Sequence, residues 1–270
     1  MLCAVQAAVV AAPNRTAGPR GRGWIGIAVP AALLAIGVAV LDSASWGPHA
    51  LALLGSFATP VLAAAGGLLA GRRRWWLWPP AAAGLWVVAW RADGLTAEAA
   101  EVALIAGACL AVAAAAALVA PAWSLQLGLV ALAALDVVLV WGTPKVQPAS
   151  EALNGVVLPT AAGSTIPKLQ DATFGSAMMG WLDLLAPALL GVAVAREAKR
   201  RAAIVTGLAA GAWGLLLFAT STVPATVPTL AGLVAARAPR RVVPGTVAKL
   251  AERAWHRRRL AERAWLRRRQ

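Results

Sequence analysis

The sequence predicts an all-α, polytopic membrane protein of about eight transmembrane helices. Three observations predict it. Hydrophobic residues make up 60% of the 270 positions and charged residues only 13%, whereas soluble chains sit near 45–50% apolar and about 25% charged. The apolar positions gather in long runs nearly free of charge, and loops rich in Arg alternate with loops that lack it. A soluble enzyme, a fibre and a disordered chain are excluded on these grounds. Cys3 and Cys109 have no metal-type spacing, so no metal and no disulfide scaffold is expected.

Along the chain, residues 1–23 read as a cytoplasmic leader, with an apolar start followed by Arg15, Arg20 and Arg22. The transmembrane domain is expected over 24–236. Trp24 to Leu41 is an uncharged run, and Gly47 to Gly71 is a second that carries only His49. Each is long enough to cross about 30 Å of hydrocarbon at about 1.5 Å per residue. Trp75 to Trp90 is shorter and holds Pro79 and Pro80. From Val102 to Pro144 the only charge is Asp136, which leaves room for two crossings with the turn between them at Pro121. Lys145 to Asp171 reads as a polar loop. Ala172 to Ala195 is a sixth span with Asp183 as its single charge, and Ala202 to Ala236, broken near Pro224 and Pro228, gives two more.

Loop charges orient these spans. The leader arginines, Arg72 to Arg74, the group Arg196, Lys199, Arg200 and Arg201, and the tail fall on one side, with Asp42, Asp93 and the 145–171 loop on the other. Excess Lys/Arg marks the cytoplasmic side. Both termini are therefore expected to be cytoplasmic, in a multi-pass protein of the cell membrane. The net charge of +14 does not mark a nucleic-acid partner, because the 237–270 tail, with 12 Lys/Arg against Glu252 and Glu262, holds +10 of it. Its ten-residue repeat, Leu250 to Arg259 and Leu260 to Arg269, reads as a basic amphipathic helix on anionic membrane lipid.

Asp136 and Asp183 need a reason to stand in apolar runs, since an ionised carboxylate in hydrocarbon is costly. With Asp136 about six residues from the outer end of its run and Asp183 about nine from the outer end of its own, the two can meet at similar depth. Two carboxyls in one low-dielectric site share a proton, as in aspartic proteases. The same pair also suits a proton-coupled transporter, or a structural hydrogen bond between helices. No cofactor motif accompanies them.

Four segments in order carry a resemblance. Leu135-Asp136 with the following Trp141-Gly142-Thr143 resembles the Tyr-Asp and aromatic-Gly-Thr segment of the presenilin and signal peptide peptidase family of intramembrane aspartyl proteases. Ile166-Pro167-Lys168-Leu169 is similar to its Pro-x-Lys-Leu, Met178-Met179-Gly180-Trp181-Leu182-Asp183 to its Met-Leu-Gly-x-Gly-Asp, and Val227-Pro228-Thr229-Leu230 to its Gln-Pro-Ala-Leu. The chain departs from the family where Leu135 replaces Tyr, Leu182 replaces Gly, Val227 replaces Gln and Thr229 replaces Ala. The resemblance implies a presenilin-like bundle lacking one N-terminal helix, catalytic Asp136 and Asp183, and substrate contacts from Gly180, Leu182, Pro228, Thr229 and Leu230. It implies transmembrane helices as substrates, or an inactive binding relative of the protease.

Overall fold

Three helices are long and apolar enough to cross a membrane in the computed structural model of the chain: Gly47–Leu69, Leu95–Val119 and Ala122–Gly142. The structure describes residues 1–12, 16–18, 21–28, 46–69, 75–142, 151–153, 155–158, 165–175, 177–218 and 223–238, together with 32 and 39. In chain order the helices are α1 (Leu2–Ala11), α2 (Gly47–Leu69), α3 (Trp78–Arg91, entered through a 3-10 turn at Trp75–Leu77), α4 (Leu95–Val119) and α5 (Ala122–Gly142). A two-stranded hairpin follows, β1 (Asp171–Phe174) and β2 (Ala177–Gly180). The chain then forms α6 (Trp181–Ala193), α7 (Arg196–Gly214, continued by a 3-10 turn at Leu215–Phe218) and α8 (Val227–Arg237).

The expectation of about eight spans is therefore not supported: among the described residues three helices meet the length and hydropathy a crossing needs. Run length in the sequence overstated helix length. The run at 75–90 gives the 14-residue α3, about 21 Å long, because Pro79 and Pro80 confine the helix start. The expected sixth span, Ala172 to Ala195, divides into a strand, a turn, a second strand and the 13-residue α6, about 20 Å long. Gly175 makes the turn at φ +63, a conformation that suits residues without a Cβ. The register pairs Asp171 with Gly180 and Phe174 with Ala177, one short antiparallel hairpin in a mostly helical chain. Most of the expected span at 24–41 and nearly all of the 237–270 tail lie outside the described residues; within the first, residues 24–28 are helical.

Long apolar helices expose apolar side chains, as lipid contact requires. Leu53, Leu54, Phe57, Val61 and Leu68 lie exposed on α2, and Leu127, Val130, Leu135 and Val138 on α5. Trp123 and Trp141 are 53% and 56% exposed at the two ends of α5. They stand about 27 Å apart along the helix, close to the roughly 30 Å hydrocarbon thickness, where aromatic anchors sit. The turn between α4 and α5 falls at Pro121, as the sequence predicts. α4, however, begins at Leu95 and takes in Glu98 and Glu101.

α6 lies at the centre of the packing. Every residue from Leu184 to Ala193 is buried, and α1, α4, α5, α7 and α8 all pack on it. Close approach rests on glycines. A Cβ at Gly191 of α6 would lie 2.8 Å from the carbonyl oxygen of Val10, and one at Gly207 of α7 would lie 2.9 Å from the Cβ of Ala7. α1, expected as part of a leader, is thus seated against α6 and α7 with Leu2, Gln6, Val9 and Val10 buried. The following segment is tied in by backbone bonds, Ala17 N–H to Val192 O at 2.8 Å and Arg22 N–H to Val119 O at 3.0 Å.

Candidate functional site

Asp136 and Asp183 reach the site from different kinds of backbone. Asp136 stands inside α5, one and a half turns before its end at Gly142, as its place in the apolar run implies. Asp183 stands at the third position of α6, not nine residues inside a span, because β2 occupies the residues expected to be helical. Gly180 caps that helix. Its N–H donates to Asp183 Oδ2 at 2.9 Å, the reciprocal half of a capping box, so the carboxyl is pinned at the helix start, where the dipole favours negative charge. The two carboxyls are near enough for their charges to interact, with Cys109 beside them. Cys109 Sγ donates to Trp181 O at 3.5 Å.

Thr226 completes the arrangement. Its Oγ1 donates to Asp136 Oδ2 at 2.6 Å and its N–H donates to the same oxygen at 3.2 Å. Thr226 is 2% exposed and directly precedes α8, whose Pro228 lies in the first turn, where a missing N–H costs nothing. Its carbonyl accepts from Thr229 N–H at 3.0 Å, closing the turn that presents the Thr226 donors to Asp136. Of the predicted substrate contacts, Pro228 and Thr229 are buried, Leu230 is half-buried against the core, and Gly180 is exposed. Leu182 is half-buried and packs on the core cluster.

The Ile166–Leu169 segment lies extended along α2. Ser56 Oγ donates to Pro167 O at 2.8 Å, Thr59 Oγ1 donates to Leu169 O at 3.3 Å, and a Cβ at Gly55 would lie 3.0 Å from Gln170 N. This contact fixes the entry into β1. On the other side of the hairpin, Gly175 N–H donates to Glu98 Oε2 at 2.6 Å, and Thr173 hydrogen-bonds Glu101. Burial pushes Asp171 up to about 6, partly offset by the charge of Lys168.

Sequence reasoning missed Thr226 and Gln6. The local mark of Thr226 is only that of a hydroxyl residue preceding the Val227–Leu230 segment, which does not reveal its partner. Gln6, whose Nε2 donates to Asp183 O at 3.3 Å, is the lone polar side chain in the apolar run Leu2–Ala11.

The fold defines a helical protein with membrane-length apolar helices, and its candidate site is a pair of carboxyls near enough for their charges to interact. Comparison of the chain with protein families, with curated proteins and with solved structures finds no match.

Proposed function

We propose that the chain is an intramembrane aspartyl protease, a divergent relative of the presenilin and signal peptide peptidase family, which hydrolyses peptide bonds of transmembrane helices with an Asp136/Asp183 dyad. The observation that carries this reading is the convergence of three separated segments. Thr226 ahead of α8 bonds Asp136 on α5 across 90 residues, and the charge of Asp136 reaches Asp183 at the start of α6.

Each carboxyl has one oxygen held by a backbone N–H: Oδ2 of Asp136 by Thr226, and Oδ2 of Asp183 by Gly180. That leaves the opposite oxygens for proton exchange. One carboxylate takes a proton from water, which attacks the scissile carbonyl carbon, while the other carboxylic acid protonates the carbonyl oxygen. The tetrahedral diol then collapses, returning one hydroxyl proton to the carboxylate that had protonated the carbonyl oxygen, and the departing amine receives the proton taken from water. An unwound substrate stretch has a place to lie, since β2 is an edge strand that runs directly into Trp181 and Asp183, and extended peptides add to such edges. The loop charges favour a multi-pass protein of the cell membrane with Arg72–Arg74, Arg196–Arg201 and both termini cytoplasmic.

The test is cleavage of a helical substrate in detergent or liposomes by the unmutated chain, Asp136→Asn and Asp183→Asn. Cleavage abolished in each variant with folding retained supports the reading, because Asn keeps the size but cannot carry the shared proton. If the unmutated chain neither cuts nor binds an aspartyl-protease inhibitor, the enzyme is excluded. pH-dependent uptake altered by either Asn would then mark a proton-coupled transporter, and its absence an inactive relative.

A further inference from the structure

We propose that Gln6 is a positioning residue for Asp183, supplying from a separate helix the hydrogen-bond donor that proline removes from the backbone of α6. The inference rests on Asp183 being catalytic. In an uninterrupted α-helix the carbonyl of residue 183 accepts from the N–H of residue 187. Position 187 is Pro187, inside α6, and proline has no N–H to give. The carbonyl behind the Asp183 side chain would be orphaned in the packed centre of the protein. Gln6 Nε2 fills the vacancy at 3.3 Å.

The same nitrogen also approaches Met179 Sδ at 3.7 Å. Met179 is the penultimate residue of β2 and Asp183 the third of α6, so a single amide bridges the residues on either side of Gly180, Trp181 and Leu182, the stretch whose conformation aims the carboxyl. Both neighbours are acceptors, a carbonyl oxygen and a thioether sulfur, which sets the amide with its nitrogen toward them.

Burial makes the case sharper. Gln6 is 1% exposed and its Oε1 has no hydrogen-bond partner among the described residues. A polar group buried without a partner is costly, and an apolar residue of similar size would avoid that cost. The amide is retained for its donor side. Its delivery is rigid, because the Gly191–Val10 and Gly207–Ala7 contacts, both within four residues of it on the same helix, hold α1 against sliding.

The experiment compares the full-length chain with Gln6→Met, which keeps shape and removes the donor, alone and combined with Pro187→Ala, which restores an N–H to position 187. Cleavage kinetics and the isotope-edited infrared band of the Asp183 backbone carbonyl are read in parallel. Gln6→Met is expected to lower kcat by about tenfold with KM unchanged and to shift the carbonyl band toward the free position. Pro187→Ala in that background is expected to return both toward the unmutated values, which a purely packing role for Gln6 would not allow. A band unmoved by Gln6→Met, or a kcat loss undiminished by Pro187→Ala, would overturn the proposal. If Gln6→Met does not fold alone, recovery of folding and of the band in the double variant supports it, and failure of both refutes it. A band that shifts and returns while even the unmutated chain cuts nothing would refute the protease reading and, with it, the catalytic purpose assigned to Gln6.

Discussion

Trp86 Nε1 donates at 3.3 Å to the carbonyl of Ser56, the carbonyl that Pro60 leaves without its helical donor four residues on. The device repeats, on α2, what Gln6 does for Asp183 on α6. A proline in an apolar helix frees one carbonyl, and a neighbouring helix returns a side-chain donor. Trp86→Phe keeps most of the ring contact and removes the donor, so it is expected to cost about 1–2 kcal/mol of stability. In a Pro60→Ala background the same change is expected to cost less, since the backbone then supplies the donor. Unfolding of the four proteins in mixed micelles measures the coupling.

Thr226 offers a graded test of the site. Thr226→Val removes the 2.6 Å hydroxyl bond to Asp136 and leaves the N–H in place. Cleavage is expected to fall by about 10- to 100-fold, the equivalent of the roughly 1.5–3 kcal/mol that a hydrogen bond to a charged group contributes, while Thr226→Ser restores most of it. Equal rates for Val and Thr would place Asp136 under no control from this loop.

Legibility followed length and punctuation. The α4–α5 pair was readable because the apolar run is twice a crossing and Pro121 divides it. Hydropathy could not separate the hairpin from α6, since Ala172 to Ala195 is apolar throughout; the signal was Gly175 between two short extended stretches. Asp136 and Asp183 stood out as two lone acids in apolar runs, but the place of Asp183 at a helix start did not, because that depends on where β2 ends. Thr226 and Gln6 escaped because each acts on a distant segment, which no local window samples.

Asp171 makes the hairpin sensitive to pH. Burial raises its carboxyl to about 6, above the roughly 3.9 of an unfolded chain. A raised acid binds its proton more tightly when folded. Its contribution is fully present below about pH 4 and is lost as pH rises through 6. Amide exchange across Ala172–Met179 is expected to quicken from pH 4 to pH 7 beyond the intrinsic dependence. Asp171→Asn, which keeps the register and cannot ionise, should reduce that excess, the remainder belonging to Glu101, which hydrogen-bonds Thr173 of the same hairpin.

Gly232 and Gly211 separate helix propensity from packing within one helix pair. Alanine is favoured over glycine in a helix by about 1 kcal/mol, and at Gly211 of α7 a Cβ would meet nothing within 4 Å. Gly211→Ala is therefore expected to stabilise by about 0.5–1 kcal/mol. At Gly232 of α8 the added Cβ would crowd Thr206 Oγ1 and stand 3.0 Å from both the carbonyl oxygen of Ala202 and Leu190 Cδ2. A helical carbonyl cannot retreat without moving α7, and overpacking of this kind costs about 1–3 kcal/mol, which exceeds the propensity gain. Gly232→Ala is expected to destabilise despite being the better helix former. Because α8 carries Thr226 at its start, any tilt that relieves the clash also pulls the donors from Asp136, so activity should fall further than stability alone explains. Measuring unfolding and cleavage for both variants decides it: a Gly232→Ala protein as stable and as active as Gly211→Ala would show that α7 and α8 do not hold Thr226 in place.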